Sequence, residues 1–359
     1  MKKFFASLTT ALRKKDNLLI IMAVSVAVVV MLSVTVAFLL KPAKYDGETA
    51  PVPGGVIPAE QTLRHPLTGE QLQTPLALWP QVFGVMIENS ADAWPLTGLD
   101  EAFLIIEAPV EGNIPRFIAF YSEEAEADKV GPVRSARPYY LDWASEFGAV
   151  YAHVGGSPEA LEKLKTLPIY DLNEFFQGEY FWRDNRRYAP HNAYTSLAEL
   201  TQSLLELEPE EASYEAWKFK PSNQSKCVIG ETCLNAELAW GGGSTYNVSL
   251  LYEMETNKYL RAESESSIGP KIWANNVVVM ATDISVIDNV GRRALRTLGE
   301  GDALIFQDGT MILGKWKKPT VTERLRFYDD ADQEILFNVG NTVIEVVPAL
   351  SAVTTSLSQ

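Results

Sequence analysis

Cysteine, histidine and net positive charge are scarce in these 359 residues, and each shortage narrows what the chain does. Only two cysteines occur, Cys227 and Cys233, with five residues between them around a Gly-Glu-Thr turn. Two thiols without a nearby histidine do not complete a tetrahedral zinc site. The spacing instead suits a short hairpin closed by a disulfide outside the cytoplasm, with a metal pair and two free thiols as competing readings. Lysine and arginine number 31 against 46 acidic residues, and the net charge of −15 argues against nucleic acid or anionic lipid surfaces as general partners. No internal repeat or heptad is visible, and no G-x-S-x-G elbow accompanies Ser135 or Ser157, so neither serine reads as a nucleophile.

One long apolar run is present. Leu18 to Leu40 carries no charge and no proline, and at 1.5 Å per residue it is long enough for a hydrocarbon core of about 30 Å. The basic residues Lys2, Lys3, Arg13, Lys14 and Lys15 precede it, which places the N-terminus in the cytoplasm and everything after the span outside. The run exceeds a cleavable signal's apolar region and reads as a retained signal anchor. With no cysteine in or near it, lipid attachment through an N-terminal cysteine is excluded.

The expected organisation is a cytoplasmic tail (1–17), a membrane helix (18–40), a Pro- and Gly-rich tether (41–74), an α/β domain (75–215), a linker (216–235), an antiparallel β domain (236–350) and a tail (351–359). Val82 to Glu88, Phe103 to Glu107, Arg116 to Tyr121 and Ala149 to Val154 read as buried strands. A helix is expected within Tyr139 to Glu146 and another after Gly155-Gly156, with Ser157 as N-cap and Pro158 at its first position. This alternation predicts a layered α/β or α+β fold. Around 205–222 the chain turns acidic, then aromatic. Beyond it, Tyr246 to Tyr252, Lys258 to Ala262, Asn276 to Ala281, Ala303 to Phe306, Met311 to Lys315, Arg326 to Tyr328, Glu334 to Phe337 and Thr342 to Val347 predict a small antiparallel sheet or barrel. Asp308-Gly309 marks one tight hairpin.

Arginine clusters stand out in so acidic a chain. Arg116 opens a strand, Arg134 and Arg137 flank Ser135, and Arg183, Arg186 and Arg187 gather beside His191. Guanidinium forks take carboxylate or phosphate bidentately, and Gly155, Gly156 and Ser157 at a helix start offer backbone N–H groups, so together they suggest an anionic ligand. The competing reading pairs these arginines with internal carboxylates such as Asp142, Asp184 or Glu107 and leaves Gly-Gly as turn chemistry. His153, in a strand, is more often a satisfied core residue than a base, and the same holds for His191. Glu88, Glu107 and Glu111 lie at strand ends or in the following loop, where a carboxylate reaches a ligand or a metal or else simply caps the loop.

The runs NSADAWPLTGLDEA, IEAPVEGNIPRFIAFY, KVGPVRSARPYYLDWA, VYAHVGGSPEAL, FWRDNRRYAPHNAY, GTMILGKWKK and TVIEVVP resemble the YerB-like family of bacterial lipoproteins, a family of unknown function, over nearly the whole exported part. The resemblance implies architecture rather than activity. Two departures accompany it: a membrane helix stands where the family carries its lipidation cysteine, and ESESSIGPKIW lacks the histidine of the family's Pro-His pair. Element order also resembles, more weakly, the LytR-CpsA-Psr phosphotransferases, which hold polyprenyl phosphates with arginines and a divalent metal. Their Arg-Asp pair is missing here, because Pro138 follows Arg137.

The leading expectation is a membrane-tethered exported module, without a cofactor, that binds an anionic cell-envelope component. A metal-assisted phosphotransferase using Glu88 or Glu107 is the runner-up, and a scaffold for an envelope protein is the third reading.

Overall fold

The computed structural model describes residues 63–357 except 224–226, 228–232, 241–243 and 265. The expected membrane helix at 18–40, its cytoplasmic tail and most of the tether lie outside the described residues. Among the described residues no helix is long and apolar enough to cross a membrane.

β1 (Val82–Glu88), β2 (Leu104–Pro109) and β3 (Pro115–Ser122) are buried along their whole length, as unbroken apolar runs require of strands covered on both faces. α1 (Pro138–Ala144) starts on a proline, whose missing N–H costs nothing in a first turn. β4 (Val150–His153) leads into α2 (Pro158–Leu164), where the Ser157 hydroxyl accepts from Ala160 N as the sequence suggests. β5 (Tyr170–Asn173), the short pair β6 (Trp182–Arg183) and β7 (Ala193–Tyr194), and α3 (Leu197–Leu207) follow. The second half is all strand: β8 (Leu234–Leu238), β9 (Val248–Glu253), β10 (Lys258–Glu263), β11 (Lys271–Ala274), β12 (Asn276–Ala281), β13 (Ile284–Val286), β14 (Arg293–Leu295), β15 (Gly299–Gln307), β16 (Thr310–Lys318), β17 (Arg326–Tyr328), β18 (Thr342–Val347) and β19 (Val353–Leu357).

These strands do not close into a separate β domain. A ten-stranded mixed sheet runs β17-β16-β15-β12-β18-β2-β3-β1-β4-β5, so the two halves of the chain share one sheet. The join is parallel: β18 pairs with β2 on one side and with β12 on the other. The cause is composition, because NVVVMA and TVIEVV are apolar on both faces and are stable only inside a covered sheet. A second sheet, β11-β10-β9-β8-β19, and α3 cover one face, with Val85, Ile105, Val277 and Val343 meeting Leu250, Tyr259 and Ile272. α1 and α2 cover the opposite face through Tyr140, Trp143 and Ala160.

Three further expectations change. Residues 351–359, read as a tail, supply β19, which pairs antiparallel with β8. Glu334–Phe337 forms no strand, and its only β pairings are single bridges, Tyr328 to Glu334 and Phe219 to Phe337. Part of the expected linker is core: Trp217 is buried against Phe327 and Phe337 and donates Nε1 to Leu325 O at 2.6 Å. Cys227 and Cys233 form a disulfide, with 5.2 Å between their Cα atoms.

Candidate functional site

β1, β2, β4, β5, β12 and β18 run in one direction, so their carboxyl ends lie along a single edge of the large sheet. In open α/β sheets ligands bind outside such ends. Glu88 closes β1 directly opposite Arg116 at the start of β3. The segment Val133–Ala136 threads between the ends of β1 and β4: Arg134 N donates to Met86 O at 2.8 Å, Val154 N to Arg134 O at 3.1 Å and Ala136 N to Gly155 O at 2.9 Å. The backbone thereby brings Arg116, Arg134, Ser135 and Arg137 to this carboxyl-end edge.

Their partners differ. Arg137 grips Glu111 with both forks, Nε to Oε1 at 2.7 Å and Nη2 to Oε2 at 2.8 Å. Burial opposes ionisation of Glu111, but the Arg137 fork outweighs it and holds the carboxyl below its ordinary range. Arg116 is buried and donates Nη1 to the carbonyl of Ser135 at 2.8 Å, while its Nε has no acceptor. Burial first, and the charges of Arg137 and Arg134 second, push the Arg116 guanidinium below its ordinary value. Arg134 Nε lies 3.1 Å from Glu88 Oε1, but the angle makes this an electrostatic contact and not a directed hydrogen bond. Glu88 also meets His191, Oε2 to Nδ1 at 2.8 Å. Three guanidiniums thus converge on two carboxylates.

The second arginine cluster does not converge with the first. Arg183 holds Glu174, Nη2 to Oε1 at 2.7 Å. Arg186 is mostly exposed and forks onto Asp184, which Lys129 also meets at 2.7 Å. These two cations hold the Asp184 carboxyl far below its usual range. Arg187 is a backbone clamp, donating to the carbonyls of Ala93, Trp94 and Pro95 and to Tyr194 Oη. His191, Arg186, Arg187, Tyr188 and Asp92 line an open cavity of about 400 Å³.

Gly155, Gly156 and Ser157 do turn chemistry. Gly155 N donates to Asn173 Oδ1 at 3.1 Å and Ser157 N to Ala136 O at 3.2 Å, so both amides are spent internally. Gly155 also needs its φ of +58°, and a Cβ there would lie 2.7 Å from the Phe175 ring. His153 is fully buried with Nδ1 2.7 Å from Gly155 O and Nε2 2.7 Å from Asp171 Oδ1, which fixes the turn.

Glu88 and Glu107, the two metal candidates, are not brought together. Glu88 shares the face of Met86, covered by the helices; Glu107 shares the face of Ile105, covered by the second sheet. Among the described residues no three His, Cys, Asp or Glu side chains gather as a metal site. Glu107 instead belongs to a buried network that sequence reasoning missed. Arg261 on β10 reaches Glu107, Glu263 at 2.8 Å and Glu345 at 2.9 Å, and Asn89 Nδ2 donates to Glu107 at 2.6 Å and to Glu263 at 3.0 Å. Burial, followed by the neighbouring Glu345 and Glu263 charges and opposed by Arg261, raises Glu107 well above an ordinary carboxyl. The signal was present: Glu107, Arg261 and Glu345 each interrupt an apolar strand, and an inward charge demands a partner. Of the other internal partners considered, Asp142 pairs with Lys163 at 2.6 Å rather than with an arginine.

Two family models match the chain, the N-terminal domain of a protein of unknown function, DUF3048, over residues 67–210 and its C-terminal domain over 237–344. The chain is 30% identical over 307 residues to a Bacillus subtilis (strain 168) protein named "Putative lipoprotein YerB", covering 82% of this chain and 89% of that one. A crystal structure of YerB protein from Bacillus subtilis superposes with a TM-score of 0.71 at 28% identity, covering 82% of this chain and 99% of that one. Matching in sequence across both halves and in fold across four-fifths of its length, the chain belongs to the YerB-like DUF3048 family.

Proposed function

We propose that this protein is an extracytoplasmic binding module held at the membrane, and that the carboxyl-end edge around Arg116, Arg134 and Arg137 receives an anionic group. The membrane attachment is supported by the uncharged run 18–40 with its basic flank and by the lipoprotein named among its relatives. The observation that carries the anion reading is the incomplete pairing of Arg134 and Arg116. The three guanidiniums outnumber Glu88 and Glu111, the Arg116 Nε is buried without an acceptor, and Arg134 touches its carboxylate only off-axis. A phosphate or carboxylate would satisfy these donors, since charge-assisted forks are the strongest hydrogen bonds a side chain offers.

Calorimetric titration with inorganic pyrophosphate tests the proposal. Arg134→Ala weakens binding by roughly tenfold or more, the loss of a charged hydrogen-bonding partner. Arg186→Ala, whose side chain is 80% exposed and answers to Asp184, leaves binding unchanged. Absence of any binding heat with the parent protein, or equal binding by Arg134→Ala, refutes the proposal.

A further inference from the structure

Two apolar projections stand at the same edge of the sheet as these arginines. β12 ends there, and the β13–β14 hairpin that follows carries Val286, Ile287 and Val290 into solvent, Val290 at 73% exposure. Arg292 anchors this hairpin to Glu159 at the start of α2 at 2.8 Å, and Arg293 Nη2 lies 3.4 Å from Asn113 Oδ1 between β2 and β3. On the far side β5 ends, and the next turn exposes Phe175 and Phe176 at 66% and 80%. Phe175 rests against Gly155, beside the segment that carries Arg134. Consecutive phenylalanines on one flank and an aliphatic hairpin tip on the other leave most of their apolar surface in solvent. Such side chains mark an interaction surface.

Resting on the anion reading above, we infer that this edge is a membrane-docking face, in which the Phe175-Phe176 turn and the Val286–Val290 hairpin enter the headgroup region of a bilayer while the partly exposed Arg134 meets lipid phosphate. The chemistry fits one occupant. Aromatic and aliphatic tips bracketing cationic forks match the boundary between acyl chains and phosphates, where apolar burial and attraction to anionic headgroups add. The acidic balance of the whole chain favours one orientation. Glu111, Glu159, Glu174 and Asp184 at this edge each answer to a cation, so these carboxylates are offset locally in a chain whose total charge is −15. The effect reaches only about a Debye length, so the edge, and not the rest of the molecule, governs contact.

The test uses the full chain reconstituted in vesicles of phosphatidylglycerol and, separately, phosphatidylcholine, with a polarity-sensitive dye on Phe176→Cys, Val290→Cys or, at the opposite edge before β1, Leu78→Cys. In phosphatidylglycerol the dyes at 176 and 290 shift to shorter wavelength and are quenched by lipid-borne spin labels; the dye at 78 does neither. Adding Arg134→Ala abolishes the quenching, and phosphatidylcholine reduces it. Unquenched dyes at 176 and 290 in phosphatidylglycerol, equal quenching in both lipids, or quenching that survives Arg134→Ala overturns the inference. Pyrophosphate binding by the same samples separates the two ideas: unquenched dyes with pyrophosphate still bound sink the docking face alone, and loss of both sinks the anion site with it.

Discussion

The buried network between the sheets yields a prediction about pH. Glu107, Glu263 and Glu345 face one guanidinium, Arg261, and none of the four is more than 3% exposed. Fully ionised, they would bury two uncompensated negative charges in a medium of low polarity, which is far costlier than retaining a proton. Burial and the neighbouring carboxylates raise Glu107, so the proton belongs there, placed to bridge to Glu345. In the unfolded chain Glu107 ionises at the ordinary glutamate value. Between that value and the raised folded one, the folded state therefore holds one more proton than the unfolded state. Stability from this group is complete below the ordinary value and falls as pH rises, by about 1.4 kcal/mol per pH unit for one proton. Glu107→Gln replaces the shared proton with an amide donor that does not titrate. Across pH 5 to 9, thermal unfolding of the parent should lose stability toward the alkaline end, and the variant should show a shallower decline and match or exceed the parent there. An equal slope in both proteins, or unfolding near neutrality that releases no proton, would refute this assignment.

Two further substitutions probe how the fold carries the edge. Arg261→Met strands three carboxylates between the sheets and should cost about 3–5 kcal/mol, lowering the melting temperature by roughly 10 °C in calorimetry, whereas a shift under 2 °C would mean the network is not structural. Gly131 has a φ of +138°, and a Cβ there would lie 2.8 Å from Val133 N, so Gly131→Ala should destabilise by about 1–3 kcal/mol and weaken pyrophosphate binding by moving the segment that carries Arg134.

Local patterns carried the elements well and their partnership poorly. The apolar runs at β1 to β4, the Ser157 cap and the Asp308-Gly309 hairpin were legible because each depends on a few adjacent residues. That β18 lies beside β2 was not legible, since TVIEVV says only that both faces are covered and not by which strands. The same limit governed the site. Arg134 and Arg187 look alike in sequence, each within three residues of another arginine and of a proline. In the fold one reaches its carboxylate off-axis and the other is consumed by the Ala93, Trp94 and Pro95 carbonyls. Partner geometry decides between binding and bracing, and the carboxylate and carbonyl partners of these two arginines lie tens of residues away. A residue type announces that a donor exists; only the distant acceptor says whether the donor is spent. For that reason the proposed anion site rests on the incomplete pairing of Arg116 and Arg134, not on the number of arginines nearby.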